Sequence, residues 1–509
     1  MNQKTYSFIT LFLIIFQSAF VYGQSTVNFE VTVAEEVQNG FQSDGRMLIY
    51  ISTKNNSEPR YQSGMDTESF MFGKNVSNWS ESKPLVLNEH SNWTKTGSWG
   101  FDKVPNGIYY VQAVWNQSGD KESRSNVAGN LYSEPIKVIL GGSTKNVSLR
   151  LNQVIESREV VEHPLAKTFK MQSKILTKWW GKPITLMASV LLPNSYDQDS
   201  KKGYAVRYNV AGYGGRYTRI NRLVGNESFM EWWESADAPQ IITVFLDGEG
   251  PFGDSYQLDS ENSGPYGQAL IDELMPKIEK EYGINPSPET RFVDGCSTGG
   301  WVSLALQLFY PESFNGCWSY SPDPVSFKKM HLVNVYDDEN VFYNKCGYLR
   351  PSKRSVEGEP EFSIKQEIYS ENVQGTSGTY ITSGQQWGAW NALYSPKGTN
   401  GLPVPIFDPT TGEIDKTAAE NWKKYDLLLH TKNNWMELAP KIAGKINIWM
   451  GDMDNYYLNN AMRDFDDYIK STTSPKSDAI IEFSPTKGHC SNYGHREILE
   501  QISIKLQKE

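Results

Sequence analysis

Side chains that bind metals or carry redox chemistry are sparse here. Histidine occurs six times and cysteine four times in 509 residues, and the histidines show no paired spacing of the kind that builds a zinc site. The acidic clusters Asp464 to Asp467 and Asp337 to Glu339 read as solvated faces and not as cation sites, so neither a metal nor a cofactor is expected. Positive charge is in deficit as well. Forty-nine Lys and Arg against 59 Asp and Glu leave a net charge of -10, without the basic surface that phosphate binding demands, and nucleic acid is not an expected partner. Long apolar runs are missing beyond the first two dozen residues. That first run, with Lys4 ahead of Phe8 to Tyr22 and the small Val21 and Gly23 before Gln24, reads as a signal peptide over 1–23. The expectation is an exported protein, secreted or periplasmic, with no membrane span once the signal is removed.

Against this background one hexapeptide stands out. Gly295-Cys296-Ser297-Thr298-Gly299-Gly300 contains Gly-x-Ser-x-Gly, and nearly two hundred residues later comes Gly488-His489-Cys490. A serine in that pattern sits where a strand reverses sharply into a helix, at a turn too tight for a neighbouring Cβ. A serine hydroxyl is a poor nucleophile until a base takes its proton, and His489 is the natural partner. His495, which lacks the Gly-His-Cys setting, reads as a surface histidine. Each candidate touches a cysteine in the chain. In an oxidising compartment four cysteines favour two bridges. If Ser297 and His489 meet, Cys296 and Cys490 come within disulfide reach, leaving Cys317 to pair with Cys346.

Two regions are expected. Residues 24–160 read as an all-β sandwich: Val27, Phe29, Val31 and Val33 alternate with polar residues, and Met47–Ser52, Ile108–Trp115, Ile136–Leu140 and Val147–Leu151 are strand-like runs between turns. Trp93, Trp99 and Trp115 are open to a core role or a glycan-binding role. Over 167–509 strands alternate with helices. Ile184–Leu192, Tyr204–Val210 and the continuous apolar run Ile241–Leu246 read as strands, Pro265–Tyr282 as a helix kinked or shortened by Pro276, and Arg291–Asp294 as the strand into the serine turn.

The C-terminal region resembles the α/β-hydrolase fold, a mostly parallel sheet flanked by helices. Within that fold it resembles secreted esterases related to esterase D, enterochelin esterase and feruloyl esterases. The residues that carry this are Ala188-Ser189-Val190-Leu191-Leu192-Pro193, Tyr208 to Gly215, Glu273-Leu274-Met275-Pro276 and the serine turn followed by Tyr310-Pro311-Glu312. Such esterases usually carry His-Gly where this chain has Ala211-Gly212. The Cys-Ser, Asp, His-Cys arrangement is also similar to the tannase and feruloyl esterase family. The resemblance implies a triad of Ser297, Asp454 and His489, with Asp452 as the alternative acid, and an oxyanion hole from the backbone N–H groups of Tyr213 and Thr298. The stretch 325–440, with Trp387, Trp390, Tyr394, Trp422 and Trp435, implies a lid-like insertion. Its aromatics receive substrate or pack the lid. The expected function is hydrolysis of an ester on an acylated carbohydrate, acetylated or feruloylated. A peptidase or acyltransferase with the same triad and a non-catalytic glycan-binding protein are the alternatives.

Overall fold

The computed structural model describes residues 23–62, 64–117, 127–198 and 203–508, so the expected signal peptide lies outside the described residues except for Gly23. The N-terminal part is β-rich. Nine strands form one hydrogen-bonded network, and in Val27–Val33 the alternating valines and Phe29 are buried while Asn28, Glu30 and Thr32 are not. Lys145–Leu151 runs parallel to that strand. From Leu151 on, with a bulge before Gln153, the other edge of the same strand pairs antiparallel with Leu131–Ser133. A small apolar cluster with Leu48, Tyr50, Met71 and Val114 lies on one face of the network, and the main apolar cluster, with Met47, Ile49 and Ile51, on the other. Trp115 is fully buried in that cluster, and Trp93 and Trp99 pack against it. Trp115 serves the core, and Trp93 and Trp99 are half-buried against it.

The C-terminal part is built on a sheet of eight strands: β1 (Ala166–Ser173), β2 (Ile184–Leu191), β3 (Ala205–Val210), β4 (Ile241–Leu246), β5 (Arg291–Cys296), β6 (Cys317–Tyr320), β7 (Ile446–Gly451) and β8 (Ile480–Ser484). Their order across the sheet is β1-β2-β4-β3-β5-β6-β7-β8. β1, β2 and β4 pair antiparallel in succession, and every pairing from β4 to β8 is parallel. β4 is buried at all six positions, as a central strand covered on both faces requires. This is an α/β-hydrolase-like fold. The expected helix over 265–282 consists of Tyr266–Ala269, a π-helical stretch Leu270–Leu274 and Met275–Glu281. Pro276 lies at the start of the last piece, where the widened turn before it relieves the helix of the hydrogen bond that proline cannot donate.

β5 leads through Ser297 into helix α1 (Thr298–Phe309). The glycines flanking the serine are set by contact distance. A Cβ on Gly295 would fall 2.5 Å from the Gly299 backbone, and one on Gly299 would fall 2.4 Å from the carbonyl oxygen of Val210. Helix α1 thus lies directly against the ends of β3 and β5. Beneath the turn, Arg207 on β3 and Asp294 on β5 form a two-pronged buried ion pair, with Nη2–Oδ2 2.6 Å and Nε–Oδ1 2.8 Å. Gly299→Ala is expected to destabilise the protein by about 1–3 kcal/mol through overpacking, read as a lowered midpoint of denaturant unfolding. An unchanged midpoint would show that the seam can open.

Candidate active site

Ser297 has φ 63° and ψ -126°, outside the ordinary regions for a residue with a Cβ, and such a conformation costs about 1–3 kcal/mol. Its surroundings hold it there: its N–H donates to the Tyr320 carbonyl (3.0 Å), and its carbonyl accepts from Trp301 (3.0 Å) and Asp323 (3.3 Å). The side chain is thereby turned out at the C-terminal edge of the sheet, facing a cavity of about 760 Å³ that His489 also lines.

His489 comes from the loop after β8. Its Nδ1 lies 2.7 Å from Asp454 Oδ2, and the Asp454 carboxylate is fully buried. The other Asp454 oxygen accepts from the backbone N–H of Tyr456 (2.9 Å) and Leu458 (3.3 Å), so the carboxylate is fixed before the imidazole meets it. Asp452 points elsewhere and pairs with Arg463. Burial alone would lower the His489 pKa, but the Asp454 charge and hydrogen bond outweigh it and raise the group above its ordinary value near 6.5. Among the described residues the imidazole is hydrogen-bonded to Asp454 and not to Ser297, an arrangement often seen before substrate tightens the site.

A disulfide joins Cys296 to Cys490, with Cα atoms 6.0 Å apart, and so ties the residue before the serine to the residue after the histidine. The second expected bridge is absent. Cys317 and Cys346 are free, the first buried and the second exposed. Cys317 opens β6, hydrogen-bonded between β5 and β7, and its thiol is pushed up to about 12 by burial. Cys346 sits on an exposed loop, away from the buried β6 that holds Cys317. His495 is not a surface group either. Its Nδ1 lies 3.0 Å from Arg207 Nη1, and burial, together with Arg207 and Arg219, pushes its pKa well down. It thus serves as a neutral partner to the buried ion pair.

Thr298 is the first residue of α1, with its backbone N–H among those left free at a helix start. Opposite it, the loop Gly212-Tyr213-Gly214 crosses the serine so closely that a Cβ on Gly212 would fall 3.3 Å from the Cys296 carbonyl oxygen and 3.7 Å from Ser297 Cβ. Gly214 has φ 70°, and the Gly215 N–H closes the turn on the Gly212 carbonyl at 2.9 Å. The Tyr213 hydroxyl donates to Gln385. Ala211 in place of the family's usual histidine leaves this approach intact.

The cavity also contains groups that the sequence reading passed over. The buried Asp323 carboxylate accepts from the Tyr256 hydroxyl (2.9 Å), Trp390 Nε1 (3.1 Å) and the Thr298 hydroxyl (3.1 Å), and burial raises its pKa against those bonds. It follows β6, at the strand end where ligands gather in such sheets. β6 is only four residues long, and without it Ser321-Pro322-Asp323 reads as an ordinary turn. Glu367 and Glu371 reach the cavity from helix α2 (Ile364–Gln374). Their four-residue spacing was the one available signal. The aromatics of 325–440 mostly pack into the main core: Trp387, Trp390, Tyr394 and Trp422 are all at most 2% exposed, and of these only Trp390 lines the cavity.

The family model named Esterase and described as "Putative esterase" matches residues 184–479, which span β2 to the loop before β8. The chain belongs to this esterase family. It is a carboxylic ester hydrolase of the serine esterase type. Among solved structures it is similar to a ferulic acid esterase (16% identity, TM-score 0.40, covering 67% of this chain and 98% of that one). It is also similar to an S-formylglutathione hydrolase from Agrobacterium tumefaciens (14%, 0.36, 67% and 93%) and to a CE1 ferulic acid esterase from Anaeromyces mucronatus in complex with ferulic acid (14%, 0.33, 69% and 92%). Among the described residues no helix is long and apolar enough to cross a membrane.

Thiol accessibility follows from this arrangement. Native protein treated with a maleimide is expected to be modified at Cys346 alone, with Cys317 reacting only after unfolding and Cys296 and Cys490 only after reduction, as read by peptide mass mapping. Removing the bridge as Cys490→Ser is expected to cost up to about 5 kcal/mol of unfolding free energy on the chain-entropy account of so long a loop. Maleimide on native Cys490 would refute the staple.

Proposed function

We propose that this serine esterase is exported and removes acyl groups from carbohydrate through an acyl-enzyme on Ser297. The observation that carries the assignment is the 2.7 Å contact between His489 Nδ1 and Asp454 Oδ2 beside a serine held at φ 63° in the same cavity. With Nδ1–H donated to Asp454, Nε2 is the free base. It accepts the Ser297 proton as the hydroxyl oxygen attacks the ester carbonyl, then delivers that proton to the departing alcohol. Water then repeats the sequence on the acyl-serine. Negative charge on the carbonyl oxygen is met by the backbone N–H groups of Thr298 and Tyr213, whose positions are fixed by α1 and by the Gly212 crossing. Asp454 holds the tautomer and stabilises the imidazolium. Asp323 acts on this apparatus by anchoring the Thr298 side chain.

The carbohydrate part of the reading rests on the cavity lining. Glu367, Gln374, Gln385, Gln386 and Tyr456 line it, and hydroxyl-rich ligands need such acceptors and donors at fixed positions. Export is supported by the disulfide, which forms and persists in oxidising compartments. The N-terminal region is proposed to be a sandwich of 24–160, and 325–440 a lid-like insertion.

Ser297→Ala is expected to abolish release of p-nitrophenol from p-nitrophenyl acetate with little change in thermal unfolding; substantial residual turnover would reject the assignment. Cleavage of peptide amides would instead favour the peptidase reading.

The pH profile gives a second test. A base must be neutral to accept the proton, and its folded pKa is raised above 6.5. The acid limb of kcat/KM is therefore expected to lie above 6.5, activity rising with pH through it. Asp454→Asn removes the group that raises this pKa and is expected to lower kcat about 10³–10⁴-fold, whereas Asp452→Asn leaves kcat within about threefold because its partner is Arg463. Reversal of that order would transfer the acid role to Asp452.

A further inference from the structure

The β-rich region does not merely precede the esterase; it forms one wall of the catalytic cavity, through Tyr50, Arg60, Tyr61, Gln62, Met65 and Met71. The wall is fixed by contacts with helix α2. Arg46 Nε donates to the Val373 carbonyl (2.7 Å), Gln366 Nε2 donates to the Met65 carbonyl (2.9 Å), and Asn75 Nδ2 reaches the Thr376 carbonyl just beyond the helix (2.7 Å). Val373 is fully buried among Leu48, Tyr50, Met71 and Val114. The strand carrying Gly73 approaches so closely that a Cβ there would lie 2.4 Å from the Val373 carbonyl oxygen. Such packing does not allow the two parts to slide independently.

On this wall one large aromatic residue is left open. Tyr61 is 63% exposed, yet it is held in place. The Arg60 guanidinium lies 4.2 Å from its ring centre and 3.9 Å from that of Tyr132, Nη2 donates to the Tyr61 hydroxyl, and Nε donates to Glu58 at 2.7 Å. Glu58 is in turn held by Gln112 Nε2 at 2.8 Å. Arg60 Nη1 takes no part in these bonds. An exposed ring immobilised by a cation and a carboxylate, at the rim of a cavity, contributes little to a core.

We infer that Tyr61 forms a subsite for the alcohol portion of the ester, a pyranose ring stacking on its open face while Arg60 holds the ring from the other. This inference rests on the carbohydrate-ester reading above and deepens it. The alcohol side is assigned because the acyl group is finite and can be enclosed, whereas a glycan chain must leave the cavity toward solvent. Tyr61 stands on that exit. The subsite is a specificity device, separate from the chemistry at Ser297.

The test compares kcat/KM on acetylated xylo-oligosaccharides with kcat/KM on p-nitrophenyl acetate, which has no sugar to stack. Tyr61→Ala is expected to lower the ratio of the first to the second about tenfold or more through KM, the loss of roughly one ring-stacking contact. Tyr61→Phe, which keeps the ring, is expected to hold the ratio within about threefold. Because Tyr61 is mostly exposed, Tyr61→Ala should unfold at the temperature of the parent protein. An unchanged ratio in Tyr61→Ala overturns the subsite. Hydrolysis of p-nitrophenyl acetate by the parent with none of the acetylated oligosaccharides overturns both the subsite and the carbohydrate reading while leaving the esterase intact. Failure of the parent on p-nitrophenyl acetate as well would instead count against the triad.

Discussion

The interaction on which the rest of the structure depends is the backbone contact between the start of α1 and the ends of β3 and β5. At Gly299 a single Cβ would collide with the Val210 carbonyl oxygen at 2.4 Å, and at Gly300 with that of Tyr320 at 2.3 Å. Helix α1 can therefore begin only where it does, one residue past the strand, and that residue is forced to φ 63°. The strain is held by the sheet on one side and the helix on the other, both of which are deeply buried. A flexible loop could not maintain such a conformation, because relaxing would release the strain of about 1–3 kcal/mol with nothing to oppose it. Exposure of the serine is thus a consequence of how tightly everything around it is packed.

The same logic extends to the long-range ties. The segment after β8 brings His489 and, a few residues on, Tyr493 and His495. It is secured by covalent sulfur at Cys490, by the Tyr493 hydroxyl on Asp294 at 2.8 Å and by His495 on Arg207. Removing a buried charge pair from water is costly, and the Arg207–Asp294 pair is tolerable because Asn209 and Tyr493 take up further carboxylate bonding at 3.2 and 2.8 Å. His489 is therefore held through the residues on its C-terminal side, and on its own ring by Asp454.

Much of this was legible before the structure, for local reasons. β4 was read with its exact limits because an unbroken run of six apolar residues has few other uses, and Val27–Val33 because alternation over seven residues marks one buried face. In the eight-stranded sheet the strands that escaped notice are edge or short ones, and in the β-rich region the eight-residue strand Ser69–Val76 was missed as well. β1 carries Lys167, Lys170 and other polar residues at the sheet's border, β8 is half-open, and β6 has four residues. The Cys296–Cys490 bridge was legible because it follows from bringing Ser297 and His489 together. The proposed Cys317–Cys346 bridge had only the remainder to support it and failed. Between Asp452 and Asp454 the sequence pattern could not decide on physical grounds, since the two residues lie on one turn and face different ways: one meets Arg463, the other a pair of backbone N–H groups and the imidazole.

What sequence could least convey is the contribution of the β-rich region to the cavity. Its part in that wall depends on Arg46, Gly73 and Asn75 meeting the end of α2 some three hundred residues later, a distance over which no periodicity or motif carries information. The tryptophans that suggested glycan binding in isolation turned inward, because a strand-rich unit of this size needs large side chains to fill its interior. The aromatic residue left outside is Tyr61, which sits in a short helical turn between strands. Loops free of the packing constraints on a core are where recognition residues accumulate, and here that loop is held against the catalytic cavity by a rigid neighbour. A region that packs its own tryptophans while presenting one immobilised tyrosine to the cavity is a wall of that cavity and not an appendage beside it.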